Sequence, residues 1–224
     1  MRIKTILVST VAVATIGTTT QSCLALATSS IGLSIIKSIL LGGITKGLGI
    51  FKDKNAFLQN NLIDQAMPKQ LRDINGILEK VAPSLVAKER DYIAQAAAYT
   101  VNISEPILKN AVNSLTADDV TRIANGQSGT ATQILKEKTA QQLVTAIMPK
   151  VDEKLNEFGI VRSINLALQG NNMIGSIFGN QNSNNIATGG LSKLASEQLV
   201  NGLFNIIENH EKQNSGDIFK ALGK

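Results

Sequence analysis

Apolar residues recur every three or four positions along almost the whole chain, and no stretch alternates convincingly with a period of two. The clearest run places Ala131, Leu135, Leu143 and Ile147 at multiples of four, with polar residues between them. This spacing puts apolar side chains on one face of a helix, whereas a half-buried strand requires strict alternation. The sequence therefore predicts an all-α fold, organised as a single multi-helix, bundle-like domain.

The composition agrees with packed helices. Hydrophobic residues make up 43% of the chain, but aromatic residues only 4%, and Trp is absent, so the core must consist of Leu, Ile, Val and Ala. The formal charge of +5 falls to +3 if the two basic residues Arg2 and Lys4 are removed. A mild, scattered charge is not the footprint of a nucleic-acid-binding protein, so we expect no nucleic-acid partner.

The first residues have the pattern of a secretory signal. Arg2 and Lys4 form a basic head, and residues 6–16 form an uncharged apolar run. The run is too short for a transmembrane helix, which requires about 20 apolar residues. We therefore expect residues 1–22 to be a lipoprotein-type signal peptide rather than a buried N-terminal helix.

The only cysteine, Cys23, lies where two cleavage rules compete. Ser22 fits a lipoprotein signal, which is cut before a cysteine that becomes acylated. Ala25-Leu26-Ala27 fits an ordinary secretory site, which would release a chain beginning at Thr28. A lone cysteine in an exported chain cannot form an internal disulfide, and acylation gives its sulfur a use. We expect lipidation of Cys23, with residues 23–30 as a short tether and the membrane as a partner through the lipid.

Residues 31–224 are expected to form the helical domain. The most apolar stretch, 31–51, is interrupted by Lys37 and Lys46 and is interpreted as a Gly-rich core helix, the alternative being a segment that lies on a membrane. Residues 171–190 are rich in Asn and Gly and predict a long loop with a small apolar plug.

Several residues predict helix ends. Thr116 followed by Asp119 predicts a capping box, and Asn125-Gly126 is expected to close that helix in the left-handed conformation. Ser84 is expected to cap a helix. Ser104 with Pro106 predicts another helix start, and Pro149 is expected to kink or restart its helix.

Four stretches stand in an order that resembles a known family: LLGGITKGLGIF, AFLQNNLIDQAMPKQL, LTADDVTRIANGQSGTATQILKEKT and GLSKLASEQLVNGLFNIIENHEK. They are similar to the bacterial exported proteins grouped as domain of unknown function family 4197, and the similarity extends from residue 31 to the end. The lipoprotein-type start is similar to that of members from Bacteroidota. The resemblance implies an all-helical envelope domain, often behind a lipid-anchoring signal, with no assigned activity or functional residues.

One turn carries a candidate site. The stretch GQSGTAT, residues 126–132, precedes a helix, and backbone N–H groups at a helix N-terminus can hold an anion. The candidate residues are Ser128, Thr130, Thr132 and Lys136. The turn lacks the lysine and the preceding strand of a P-loop, and helix capping by Ser128 or Thr130 is the alternative interpretation.

The sequence gives no sign of a catalytic or metal-binding group. His210 is the only histidine, and its spacing from Glu208 and Glu211 does not place three ligands on one helix face, so these residues are interpreted as a solvated polar face. Asp118 and Asp119 suit a helix start, where negative charge complements the helix dipole. We expect no metal, no cofactor and no enzymatic activity.

Taken together, these features predict a lipid-anchored bacterial envelope protein that faces the periplasm and acts as a non-catalytic binding or structural module. Its partner would be an unknown envelope protein or an apolar ligand. The alternative is a soluble periplasmic or secreted carrier of an apolar ligand, released by cleavage after Ala27, with the Asn-rich loop as its lid. A hydrolase would require a nucleophile beside a base, and nothing in the sequence indicates such a pair.

Overall fold

The computed structural model describes residues 30–169 and 186–223. These residues form ten helices and no strand, which confirms the all-α prediction. In chain order the helices are α1 (Ser30–Lys52), α2 (Lys54–Leu58), α3 (Asn61–Gln65), α4 (Lys69–Val81), α5 (Pro83–Asn113), α6 (Ala117–Asn125), α7 (Thr130–Glu157), α8 (Ile160–Gln169), α9 (Ile186–Gln213) and α10 (Ser215–Ala221).

Four long helices form a bundle. Helix α7 packs against α5 on one side and α9 on the other, and α1 packs against α5 and α9 from across the bundle. Lys37 near the start of α1 donates to the carbonyl of Asn113 at the end of α5 (2.8 Å), and Ser192 of α9 donates to Asp152 of α7 (2.6 Å). Neighbouring long helices therefore run antiparallel, and the starts of α1 and α7 lie at the same end of the bundle as the ends of α5 and α9.

The short helices cover the flanks of this bundle. Helix α3 packs on α9, α2 and α4 pack on α5, and α8 lies beside α5, α7 and α9. Helix α6 precedes α7 and contacts it, and α10 returns to pack on α1. The buried side chains form one continuous cluster, built mainly from Leu, Ile, Val and Ala as the composition predicts.

Helix α1 lies in the core. Its apolar stripe is almost completely buried and consists of Ile36, Leu40, Ile44, Leu48 and Phe51. By length and composition alone, Ile31–Lys52 is also long and apolar enough to cross a membrane, the one such helix within the described ranges. An apolar helix near the N-terminus is compatible with a signal sequence or an anchor, and hence with export. The burial of its stripe supports the interpretation as a core helix.

Glycines in α1 permit a close approach to α9. A Cβ at Gly47 would lie 2.5 Å from Leu203 Cδ1, and one at Gly43 would lie 3.2 Å from Ile207 Cα. The backbone of α1 therefore lies directly against residues of α9, which explains why the most apolar helix of the chain is also rich in glycine.

Two prolines lie inside continuous helices, so the helix start predicted at Pro106 is absent, and of the kink or restart predicted at Pro149 the restart is absent. Pro106 is within α5, where Ser104 is buried rather than at a cap, and Pro149 is within α7, which does not restart there. An interior proline costs about 3 kcal/mol and one backbone hydrogen bond. Helices α5 and α7 pack against each other along their length, and the burial of side chains such as Leu108 and Val151 offsets that cost.

The predicted helix ends are partly correct. Thr116 and Asp119 form the expected capping box at α6, with Thr116 N donating to Asp119 Oδ2 (2.8 Å). Gly126 does end α6, but in an extended conformation with φ −90°, so the predicted left-handed conformation is wrong. Ser84 does not cap α5, because Pro83 already occupies its first turn and Ala82 is the N-cap residue.

Parts of the predicted organisation lie outside the described residues. These are the signal peptide, Cys23, most of the tether, and residues 170–185 of the Asn-rich stretch with its apolar plug. Two predicted boundaries differ from those in the structure. Ser30, predicted as part of the tether, belongs to α1, and residues 186–190, predicted as loop, form the start of α9.

A cleft at the start of helix α7

The turn between α6 and α7 depends on two glycines. Gly129, the N-cap residue of α7, has φ +101°, a conformation that residues with a Cβ rarely adopt. A Cβ at Gly126 would overlap the Thr130 side chain. The Thr130 hydroxyl itself donates to the carbonyl of Gln127 (2.7 Å), so this side chain closes the turn locally and does not cap α7.

The backbone N–H groups at the start of α7 bind a carboxylate from the same chain. Glu211 of α9 is only 2% exposed. Its Oε1 accepts from Gly129 N (3.0 Å) and Ala131 N (3.1 Å), and its Oε2 accepts from Thr132 N (2.7 Å). The predicted amide donors therefore do hold an anion, but that anion is a side chain about 80 residues further along the chain. The sequence interpretation that placed Glu211 on a solvated face is wrong.

An open cleft of about 430 Å³ lies beside this turn, between the first turns of α7 and the last turns of α9. We call it the turn cleft. The four candidate residues from the sequence, Ser128, Thr130, Thr132 and Lys136, all line it. The structure adds a second wall from α9, to which Phe204, Glu208 and Lys212 contribute.

Two hydroxyls in this cleft lack partners. Thr132 is 2% exposed, and neither its Oγ1 nor Ser128 Oγ has a hydrogen-bond partner within the part of the chain that the structure describes. Most buried polar side-chain atoms in proteins have at least one partner. Unpaired hydroxyls at the wall of an open cleft are therefore a feature that a bound molecule could satisfy.

The charged side chains of the cleft are unequally paired. Lys212 Nζ lies 2.5 Å from Glu208 Oε1, and Glu211 is satisfied by three amides. Lys136 forms no ion pair with any described residue; its Nζ lies 6.0 Å from the centroid of the buried Phe204 ring. Because both carboxylates already have partners, Lys136 gives the cleft one unpaired positive charge.

His210 packs against α1 and does not line the turn cleft. A Cβ at Gly42 would lie 2.9 Å from His210 Nε2, so the imidazole occupies the space that this glycine leaves. Burial, together with the nearby positive charge of Lys46, lowers the pKa of His210. Among the described residues no group of three or more His, Cys, Asp or Glu side chains could hold a metal ion.

Asp119 has a structural role at the start of α6. Burial acts to raise its pKa, but hydrogen bonds from Thr116 and from Lys138 (2.9 Å) outweigh burial, and the pKa is lowered. The carboxylate is thus fixed in its ionised form by the capping box and an ion pair.

Sequence reasoning missed the α9 side of the cleft, although a signal was present. Leu199, Leu203 and Ile207 follow one another at intervals of four, and Glu211 continues the same interval. A charged residue in phase with an apolar stripe must either leave the core or find a partner there. Together with a helix start that lacks a side-chain cap, this phase indicates that Glu211 binds backbone N–H groups.

The fold and the cleft define an all-helical protein with a small polar cleft at the end of an antiparallel bundle. The family model described as "protein of unknown function (DUF4197)" matches residues 27–218. The chain belongs to this family, as the sequence comparison of its helical stretches predicted. Searches of curated proteins and of solved structures gave no significant match.

Proposed function

We propose that the chain is a lipid-anchored, non-catalytic binding module of the bacterial cell envelope, and that its ligand binds in the turn cleft. The observation that carries this proposal is the Thr132 hydroxyl, which is buried at the wall of an open cleft and has no partner among the described residues. A buried hydroxyl left unpaired costs about 1–3 kcal/mol, and a ligand that bonds to it would recover part of that free energy.

The anchor is supported by the N-terminal sequence. Cys23 follows Ser22 and an uncharged apolar run, as in a lipoprotein signal. Several acyl chains on one cysteine exceed the single chain that gives only marginal, reversible membrane binding. Seven peptide units separate Cys23 from Ser30, so the bundle would be held within about 25 Å of the lipid attachment point. The stretch after Cys23, LALAT, has no acidic cluster, which supports a periplasmic rather than a surface location.

The absence of catalysis is part of the proposal and rests on the position of the imidazole. His210, the only histidine in the sequence, packs against Gly42 and is not among the residues that line the turn cleft. Ser128 and Thr132 therefore have no imidazole base beside them in the cleft.

The anchor is tested by metabolic labelling with a palmitate analogue. We expect label on the wild-type protein and none on Cys23→Ala, because that sulfur is the acylation site. Ala27→Asp serves as the matched control, since it removes the rival A-x-A cleavage site and should leave the label unchanged. An unlabelled wild-type protein whose mature chain begins at Thr28 would contradict the anchor and support the soluble alternative.

The soluble alternative makes a different prediction about the ligand. A carrier of apolar molecules needs a largely apolar pocket that buries its cargo. The turn cleft is instead lined by hydroxyls, amides and charged groups. Native mass spectrometry of the purified protein separates the two: a co-purified lipid that stays bound after Thr132→Val and Lys136→Met would favour the carrier.

A further inference from the structure

We infer that the turn cleft binds a small anionic group, a carboxylate or a phosphate, whose charge is met by Lys136 and whose oxygens accept hydrogen bonds from Thr132 and Ser128. The inference rests on the proposed function in taking the turn cleft as the ligand site. It extends that function by naming the chemical class of the ligand.

The charges of the turn cleft favour an anion. The turn cleft contains two lysines and one carboxylate at its wall, and Glu208 is paired with Lys212 at 2.5 Å. Glu211, behind the wall, receives three backbone N–H groups and is further compensated by the positive end of the 28-residue α7 helix. Lys136 is the remaining charge, so an anion would be attracted and a cation repelled.

The hydrogen-bonding groups of the turn cleft also favour an anion. A lysine ammonium can only donate, and a threonine or serine hydroxyl can donate its proton to a ligand oxygen. The carbonyl of Gln127, an acceptor in the turn, is already occupied by Thr130 N (3.1 Å) and Thr130 Oγ1 (2.7 Å). Lys136 can only donate, and both unpaired hydroxyls are able to donate, so carboxylate and phosphate oxygens, which are strong acceptors, would satisfy all three groups.

The position of the cleft is compatible with either of two sources for the anion. Since α1 and α7 both start at the end of the bundle where α9 finishes, Ser30 at the start of α1 and the turn cleft lie at the same end. The anionic group could then belong to a free small molecule or to a lipid headgroup at the bilayer. A volume of about 430 Å³ suits a small molecule or a headgroup but not a polymer.

The test is isothermal titration calorimetry on the purified mature chain with inorganic phosphate, acetate and glucose as separate probes. We expect saturable binding of phosphate or acetate and none of glucose. Lys136→Met should weaken anion binding at least tenfold, and Thr132→Val severalfold, because it removes a donor while keeping the shape of the side chain. Lys193→Met, an exposed lysine elsewhere on α9, is the matched control and should bind like the wild type.

The two sources of the anion are separated by flotation with vesicles of phosphatidylcholine, with and without phosphatidate, using Cys23→Ala to remove the anchor. Phosphatidate-dependent flotation that Lys136→Met abolishes assigns a headgroup, whereas calorimetric binding without flotation assigns a free anion.

The inference is overturned if no anion binds the wild type, if Lys136→Met binds as tightly as the wild type, or if glucose binds equally well. If no anion binds but Cys23 is labelled, the inference fails and the proposed anchor stands. If an anion binds but Cys23 is unlabelled, only the anchor is overturned. Thermal unfolding of each variant shows whether it is folded.

Discussion

At the scale of single residues, Glu89 is a carboxyl group held entirely inside the protein. It is 0% exposed in α5, and its Oε2 accepts from Asn75 Nδ2 of α4 (3.3 Å). Burial raises its pKa to about 7, although the bond from Asn75 and the charge of Arg90 oppose this, and Arg90 is itself paired with Asp64. Glu89 Oε1 and Asn75 Oδ1 have no partner among the described residues. Burial disfavours the charged carboxylate, so Glu89 keeps its proton to a higher pH than an exposed glutamate does.

This geometry predicts a pH-dependent stability. The unfolded pKa is near 4.5 and the folded pKa about 7, so between these values the folded chain keeps a proton that the unfolded chain releases. The contribution of Glu89 to the free energy of unfolding is therefore fully present below about pH 4.5. It falls by about 3 kcal/mol as the pH rises to 7, and changes little beyond.

The measurement is urea unfolding from pH 5 to pH 8 for the wild type and Glu89→Gln. The glutamine has nearly the same shape, keeps an oxygen that can accept from Asn75 Nδ2 and does not titrate, so this variant should lose that pH dependence and be more stable than the wild type at pH 8. Glu79→Gln, an exposed substitution on α4, is the control and should follow the wild type. Equal pH slopes for the wild type and Glu89→Gln would show that Glu89 is already ionised at pH 5.

Glycine positions in α1 give a second prediction at this scale. Gly47→Ala should destabilise the protein by about 1–3 kcal/mol, because the added methyl would lie 2.5 Å from Leu203 Cδ1. Gly49→Ala on the same helix meets nothing within 4 Å and should stabilise it by up to about 1 kcal/mol through helix propensity. Thermal or urea unfolding measures both. Two variants of equal stability would contradict the close approach of α1 to α9.

At the scale of helices, the bond from Glu211 to the start of α7 fixes how α9 ends against α7. Glu211→Ala leaves three buried N–H groups unpaired and should cost about 3 kcal/mol or more. Because those donors then form an empty anion site, acetate added to the buffer should restore part of the lost stability, and chloride at equal ionic strength should restore less.

Urea unfolding with and without acetate checks this prediction. Glu197→Ala is the matched control, since Glu197 is a partly exposed residue of α9 whose ion pair with Lys193 lies away from the turn cleft, and surface ion pairs contribute about 0–1 kcal/mol. It should lose little stability and should respond to acetate no more than the wild type does. An acetate effect of equal size in the wild type and in both variants would show that the emptied Glu211 site does not bind acetate.

The same helices show what the sequence could and could not predict. Periodicity predicted the buried face of α7 well: Ala131, Leu135, Leu143 and Ile147, which recur at multiples of four, are all buried. Local rules failed where packing was stronger, as at Pro106, where the predicted helix start is absent because α5 continues and packs against α7. The turn cleft was half predicted. Its α7 residues follow from the turn, but its α9 wall depends on an antiparallel contact between residues 80 positions apart.

At the scale of the whole molecule, four long helices alternate in direction around one core, and short helices cover the flanks. Such a bundle keeps its interior for aliphatic packing and leaves polar clefts to its ends, where helix termini meet. The turn cleft lies at one of these ends. It is formed by tertiary contacts between α7 and α9, which explains why composition and charge alone did not indicate it.

The start of α1 and the turn cleft lie at the same end of the bundle, and this has a kinetic consequence. In an acylated chain, the end of the bundle that carries the turn cleft would also lead to the lipid, so the cleft would lie near the narrow aqueous layer between the domain and the bilayer. A dissolved ligand would have to diffuse through that layer, whereas a molecule embedded in the leaflet would already be there. A longer linker ahead of α1 would then change how quickly the two kinds of ligand arrive, while leaving the equilibrium affinity of the cleft unaltered.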